Sequence, residues 1–161
     1  MQLQLRRATD NDIETLVQVA LLAWAPVFAS LRETFSPSVY AMLYPDWRQQ
    51  QRTVVERTCR GDERTTVWIA ETAGAVGGFV VYTLDQSEKI GTVELLAVHP
   101  DYQRRGIATA FNRVALDQMR ASGMRLAGLS TGGDPGHAPA RRAYERAGYA
   151  PFPNVWYYQE L

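Results

Sequence analysis

The sequence has a single cysteine, Cys59, and two histidines, His99 and His137. One thiol cannot form an intramolecular disulfide, so a reducing compartment, the cytoplasm, is the expected location. Those three side chains also fall short of the four nitrogen and sulfur ligands of a structural zinc site, and no metal is expected. Lysine is nearly missing: Lys89 stands alone among arginines, a bias that fits codon composition better than a dedicated phosphate surface. Neither sign of charge is in excess, with 17 basic and 17 acidic side chains. That removes the global field on which nucleic-acid or anionic-membrane partners draw. The apolar stretch Leu16–Ala29 is interrupted by Gln18, follows Asp10, Asp12 and Glu14, and places its apolar residues at helical spacing. It reads as a core helix and not as a leader or a membrane span.

The 161 residues, 46% hydrophobic and 21% charged, suit one soluble domain spanning 1–161. Gln2–Arg6 alternates as a first strand. Thr9 and Asp12 form a weak capping box, and Ile13, Leu16, Val17, Ala20, Leu21 and Trp24 make one helical stripe that Pro26 is expected to end. Ser36-Pro37 opens a further helical stretch, which Pro45 breaks and which resumes to Gly61. Thr66–Thr72 and Gly77–Leu84 form a hairpin about Ala73-Gly74. Gly91–Val98 is apolar on both faces, as a covered central strand should be. A helix over Arg104–Ser122, a strand over Arg125–Ser130, a helix from Ala138 to Ala147 and a last alternating strand over Asn154–Glu160 complete the order β-α-α-β-β-β-α-β-α-β. A mixed sheet with helices on both faces follows, with strands 91–98 and 125–130 parallel neighbours. Ligands bind at the carboxyl ends of such strands.

At that place stands Glu94-Leu-Leu-Ala-Val-His-Pro-Asp-Tyr-Gln-Arg-Arg-Gly-Ile-Ala108, a strand, a short turn and a helix start. A helix N-terminus leaves about four N–H groups without intrahelical partners and carries roughly half a positive charge. Small residues such as Gly106 and Ala108 let an anion approach the backbone, so the segment reads as a pyrophosphate seat.

These residues resemble the GCN5-related N-acetyltransferases (GNAT) over essentially the whole chain. The family's acetyl-CoA signature, Gln/Arg-x-x-Gly-x-Gly/Ala, stands here as Gln103-Arg104-Arg105-Gly106-Ile107-Ala108. Its second feature, Asn-x-x-Ala-x-x-x-Tyr-x-x-x-Gly-Phe, is matched by Ala140, Tyr144, Gly148 and Tyr149, with His137 where the asparagine usually stands. The resemblance implies the family's α/β (α+β) acyl-CoA N-acyltransferase fold, a mixed, mostly antiparallel central sheet flanked by helices on both faces. It implies acetyl-CoA as co-substrate and direct transfer of acetyl to an amine.

By that resemblance the amides from Arg104 to Ala108 hold the pyrophosphate, with Gln103 in the same signature and Thr109 adding a hydroxyl. Leu96, Ala97 and Val98 offer backbone groups to the pantetheine arm, a Leu96 amide meets the oxyanion, and His137 and Ala140 flank the arm. Tyr144 stands at the family's general-acid position and would protonate the departing thiolate. Glu94, a carboxylate in an apolar strand, either takes the amine's proton through water or is an ordinary solvated strand residue. His137 is a second candidate base or a cap of the helix that follows, and His99 before Pro100 is a turn residue. Trp24, Phe28, Tyr40, Tyr44 and Trp47 make the first helices aromatic-rich, and one or two of them are expected at the acceptor amine. The acceptor is a small amine, or alternatively a protein N-terminus or lysine. A reading from another class is a non-catalytic acyl-CoA-binding or interaction module. A second copy of the chain, as a homodimer, is left open.

Overall fold

In the computed structural model, which describes residues 3–161, a five-stranded sheet runs in the order β1-β2-β3-β4-β5. Its strands are β1 (Gln4–Arg7), β2 (Thr65–Thr72), β3 (Ala75–Asp85), β4 (Ile90–Val98) and β5 (Leu126–Leu129). All neighbours are antiparallel except β4 and β5, which run parallel from Ile90↔Leu126 to Val93↔Leu129. The first strand thus begins later than the alternation suggests, and Gln2 lies outside the described residues. The hairpin turn is Ala73-Gly74, both at positive φ (50° and 78°), the backbone that matches the strands' right-handed twist.

Five helices cover the sheet: α1 (Ile13–Thr34), α2 (Pro37–Leu43), α3 (Trp47–Arg60), α4 (Ile107–Ala121) and α5 (Ala138–Arg146). On one face Leu16, Val17 and Ala20 of α1 and Val55 of α3 pack against Ile69, Phe79, Val81 and Ala97. On the other, Ile107, Phe111, Ala115 and Met119 of α4 pack against Ala70, Val80, Tyr82 and Val93. Phe79, Val80 and Val81 are all fully buried, so adjacent β3 residues feed opposite cores, as a doubly covered strand requires. Each such side chain contributes about 1.5–3 kcal/mol. The helix α1 is long and apolar enough to cross a bilayer, and here its buried stripe is spent on the sheet.

Three expectations need correction. Pro26 does not end α1, which continues to Thr34. A proline loses the bond to the carbonyl four residues earlier, here Leu22, and crowds it; Pro26 and Leu22 both lie on the exposed side of α1, while Phe28 beyond them is buried and holds the helix in place. The strand expected over Asn154–Glu160 is not formed: residues 149–161 are in neither helix nor strand. Alternation makes a strand only where a neighbour supplies ladder bonds, and Val155, Trp156 and Tyr157 are exposed. Tyr158 instead meets Phe35 edge-on at 5.7 Å. The helix expected from Arg104 starts at Ile107, because Arg104 and Gly106 both sit at positive φ (59° and 83°).

Candidate active site

Parallel pairing of β4 with β5 stops at Val93 and Leu129, while β4 runs on to Val98. Past that point the two strands part, and the β5 side of Glu94–Val98 is left without a ladder. The His99 amide donates to Gly77 O at 2.9 Å, so by alternation Ala97 faces β3 and the backbone groups of Leu96 and Val98 face the gap. Two contacts agree. Ala97 O lies so near Gly78 that a Cβ there would come within 2.6 Å of it, and Val98 O accepts from Gln103 Nε2 at 3.1 Å. A bulge supports the same geometry: Val81 pairs with Leu95 and Tyr82 with Val93, leaving Glu94 between them unpaired.

The α4 N-terminus opens onto this gap. Gly106, the N-cap, is left-handed, and no side chain caps the helix. The first helical bond is Ala110 N–H to Gly106 O at 2.9 Å, so the amides of Ile107, Ala108 and Thr109 face outward without intrahelical partners. A Cβ on Gly106 would meet nothing within 4 Å; glycine is needed there for its backbone conformation.

The facing wall is α5 with the loop before it. Tyr144 follows His137 by seven residues, two helical turns, so both lie on one face. Burial pushes the Tyr144 phenol up to about 12, with the neighbouring Tyr149 adding to the shift, and the two rings meet edge-on at 6.0 Å. His137 is held by its Nδ1 to the Asp134 carboxylate. Burial works to raise the Asp134 pKa, but hydrogen bonds from His137, Ser30 and the Gly136 amide outweigh it and hold the carboxyl below the usual range. Ser30 Oγ donates to Asp134 Oδ2 at 3.2 Å, which ties the loop to α1. Arg141 Nη1 donates to Gly132 O (2.6 Å) and Asp134 O (2.8 Å) and fixes the loop from the other side.

Together these walls enclose a cleft of about 620 Å³. Its far end is made by α1 and the end of α2, where Phe28 and Tyr44 meet edge-on at 5.4 Å. Glu94 lies at this end of β4, its Oε1 accepting from Thr83 Oγ1 at 2.8 Å. A hollow of about 180 Å³ near Thr9, Cys59 and Thr66 contains none of the catalytic or cofactor-binding candidates.

The cleft brings together Glu94, Leu96, Ala97, Val98, Gln103, Arg104, Gly106, Ile107, Ala108, Thr109, His137, Ala140 and Tyr144. Arg105 does not line it; its guanidinium sits 5.6 Å from the centre of the Tyr102 ring. His99 is a turn residue, its Nδ1 accepting from the Asp101 amide at 3.2 Å. Of the five aromatics, Trp24, Phe28 and Tyr44 line the cleft, while Tyr40 and Trp47 are buried, Trp47 stacked behind Phe28 at 4.3 Å. Sequence reasoning missed Gln51 and Arg146 on the wall and the Ser30–Asp134–Arg141 brace. Asp134-Pro-Gly carried only a turn signal, and nothing linked it to Ser30, which is 104 residues away.

The Acetyltransferase (GNAT) family description matches residues 24–149. No curated protein sequence matches the chain. Among solved structures, the aminoglycoside N-acetyltransferase AAC(6')-Iy with a CoA-containing bisubstrate analog superposes with a TM-score of 0.66 at 15% identity, over 100% of this chain and 99% of that one. PaiA N-acetyltransferase from Thermoplasma acidophilum with coenzyme A gives 0.65 at 16% identity, over 91% and 89% of the two chains. Ribosomal-protein-alanine N-acetyltransferase from Brucella melitensis biovar Abortus 2308 gives 0.64 at 16% identity, over 99% of each. At such identities the likeness speaks for the fold.

Proposed function

Since the chain belongs to the GNAT acetyltransferase family, we propose that it moves an acetyl group from acetyl-CoA to the primary amine of a small molecule in the cytoplasm. The observation that carries this reading is the parting of β4 from β5 beside an uncapped α4 N-terminus, with Tyr144 on the facing wall. Acetyl-CoA supplies the activated acyl group as a thioester. The amides of Ile107, Ala108 and Thr109, with Gly106 keeping the turn open and Arg104 alongside, receive its pyrophosphate. Outward backbone groups of Leu96 and Val98 hold the pantetheine arm as an added strand would be held. Leu96 N–H is the donor for the charge that builds on the carbonyl oxygen. Tyr144, protonated at all working pH values because burial raises its pKa, donates to the departing sulfur. Glu94, exposed and set on a bulge at the acceptor end, receives the proton of the amine through water.

Proteins of this fold include an aminoglycoside N-acetyltransferase and a ribosomal-protein-alanine N-acetyltransferase, so the fold alone does not fix the acceptor. A small amine is favoured by the aromatic wall that Trp24, Phe28 and Tyr44 give the cleft. Calorimetry with acetyl-CoA, followed by amine-dependent release of free thiol, tests the reading. Absence of acetyl-CoA binding overturns it; binding without turnover of any amine or peptide supports the non-catalytic module instead.

A further inference from the structure

We infer that the acceptor half of the cleft takes an amine bearing one positive charge on an apolar, ring-sized body, and rejects polycations such as polyamines and aminoglycosides. The inference rests on the acetyltransferase reading above and narrows its acceptor.

Charge is the first observation. Glu94 is the one carboxylate among the described residues lining the cleft, and Arg146 contributes to the same wall. Asp134, on the loop before α5, accepts from Ser30 and the Gly136 amide and is held to His137. A polyamine or aminoglycoside brings several ammonium groups at neutral pH. One could pair with Glu94. The others would meet apolar wall or like charge, and an ammonium taken from water without a partner is strongly disfavoured.

Shape is the second. Trp24, Phe28 and Leu31 recur at i, i+4 and i+7 on α1, one helical face, and all three line the cleft with Tyr44. That face is turned toward the sheet by Leu16, Val17 and Ala20, which are fully buried earlier in the same helix. Phe28 is fixed from behind by its stack on Trp47 and from the side by Tyr44. Ring edges and a leucine form a dry slot that rewards an apolar or aromatic body and can favour one cation over a ring face.

The test compares 2-phenylethylamine, spermidine, kanamycin and a peptide with a free N-terminal alanine at saturating acetyl-CoA, reading free thiol. The expected result is a kcat/KM for 2-phenylethylamine about tenfold or more above each of the others, the discrimination an apolar pocket can supply. A Leu31→Glu variant, checked for acetyl-CoA binding as a measure of folding, should lower that preference and raise turnover of spermidine. Faster wild-type turnover of spermidine, kanamycin or the peptide overturns the inference and leaves the acetyltransferase reading standing. Absence of thiol release with 2-phenylethylamine also overturns the inference, whereas absence of acetyl-CoA binding overturns the acetyltransferase reading itself.

Discussion

Replacing Tyr144 with phenylalanine should slow acetyl transfer while leaving the fold intact. Burial pushes the phenol up to about 12, so it carries its proton wherever the enzyme is assayed. The thiol it would regenerate has a pKa near ~8.5. Full proton transfer to a free thiolate is therefore uphill by roughly three powers of ten, and Tyr144 acts chiefly as a hydrogen-bond donor to the sulfur while the C–S bond breaks. This places the loss in kcat near the low end of the ~10²–10⁴ range for a positioned acid, about 10²-fold, or about 2.7 kcal/mol of activation free energy. Acetyl-CoA affinity should change little, because the β4 backbone and the α4 amides are untouched. Tm should hold, since the substitution keeps the ring that meets Tyr149 at 6.0 Å. The assay is thiol release at saturating acetyl-CoA and amine from pH ~6 to ~10, with calorimetric binding as the control. A variant with wild-type kcat, or a wild-type rate that falls around pH ~10 as a solvated phenol would dictate, refutes the argument.

Gly106→Ala places a Cβ on φ +83° that meets nothing within 4 Å, so its cost is conformational, about 1–2 kcal/mol. Calorimetry should read this as acetyl-CoA binding weakened roughly 5- to 30-fold, with Gly106→Asn affected less. Gly78→Ala sets a Cβ 2.6 Å from Ala97 O, a backbone atom, whereas Gly91→Ala meets the movable Met119 side chain at 2.5 Å. Urea unfolding should show a loss of about 1–3 kcal/mol for the first and a smaller one for the second; equal losses would refute the distinction. Asp12 accepts from Arg6 at 2.8 and 2.9 Å and from the Thr9 amide at 2.8 Å, and the Arg6 guanidinium holds its carboxyl well below the usual range. A depressed folded pKa gives stability that is present above the unfolded value of ~3.9 and lost as pH falls through the folded one. The Tm gap between wild type and Asp12→Asn should thus be open at neutral pH and close on acidification below pH ~4. A gap unchanged in acid would sink that assignment.

Much of the fold was legible because its signals are local. Ser36 announces α2 as a cap, and its side chain accepts from the Val39 amide; Asp46, which caps α3 by accepting from the Gln49 amide, stood unread beside the Pro45 break. The Ala73-Gly74 turn marked the β2–β3 hairpin from two residues, although a bulge at Ala70/Glu71 shifts the register beyond the first two pairs. Pro26 misled, since the cost of a proline depends on whether the freed Leu22 carbonyl can reach water, which the surrounding fold determines. Val155–Tyr158 misled for the opposite reason: alternation states which side chains could share a face, and no strand lies alongside to use it.

The segment from Glu94 to Ala108 is contiguous, so strand, turn and helix start, and with them the donor half of the cleft, could be read from the sequence by itself. Backbone geometry over some fifteen residues needs no distant partner to define it. Only the tertiary structure decided the rest. The parting of β4 from β5, the bulge at Glu94, the single carboxylate against an aromatic wall and the Ser30–Asp134 tie all join segments far apart in the chain. Such contacts follow from how two cores close on opposite faces of one sheet, and no short stretch of residues encodes them.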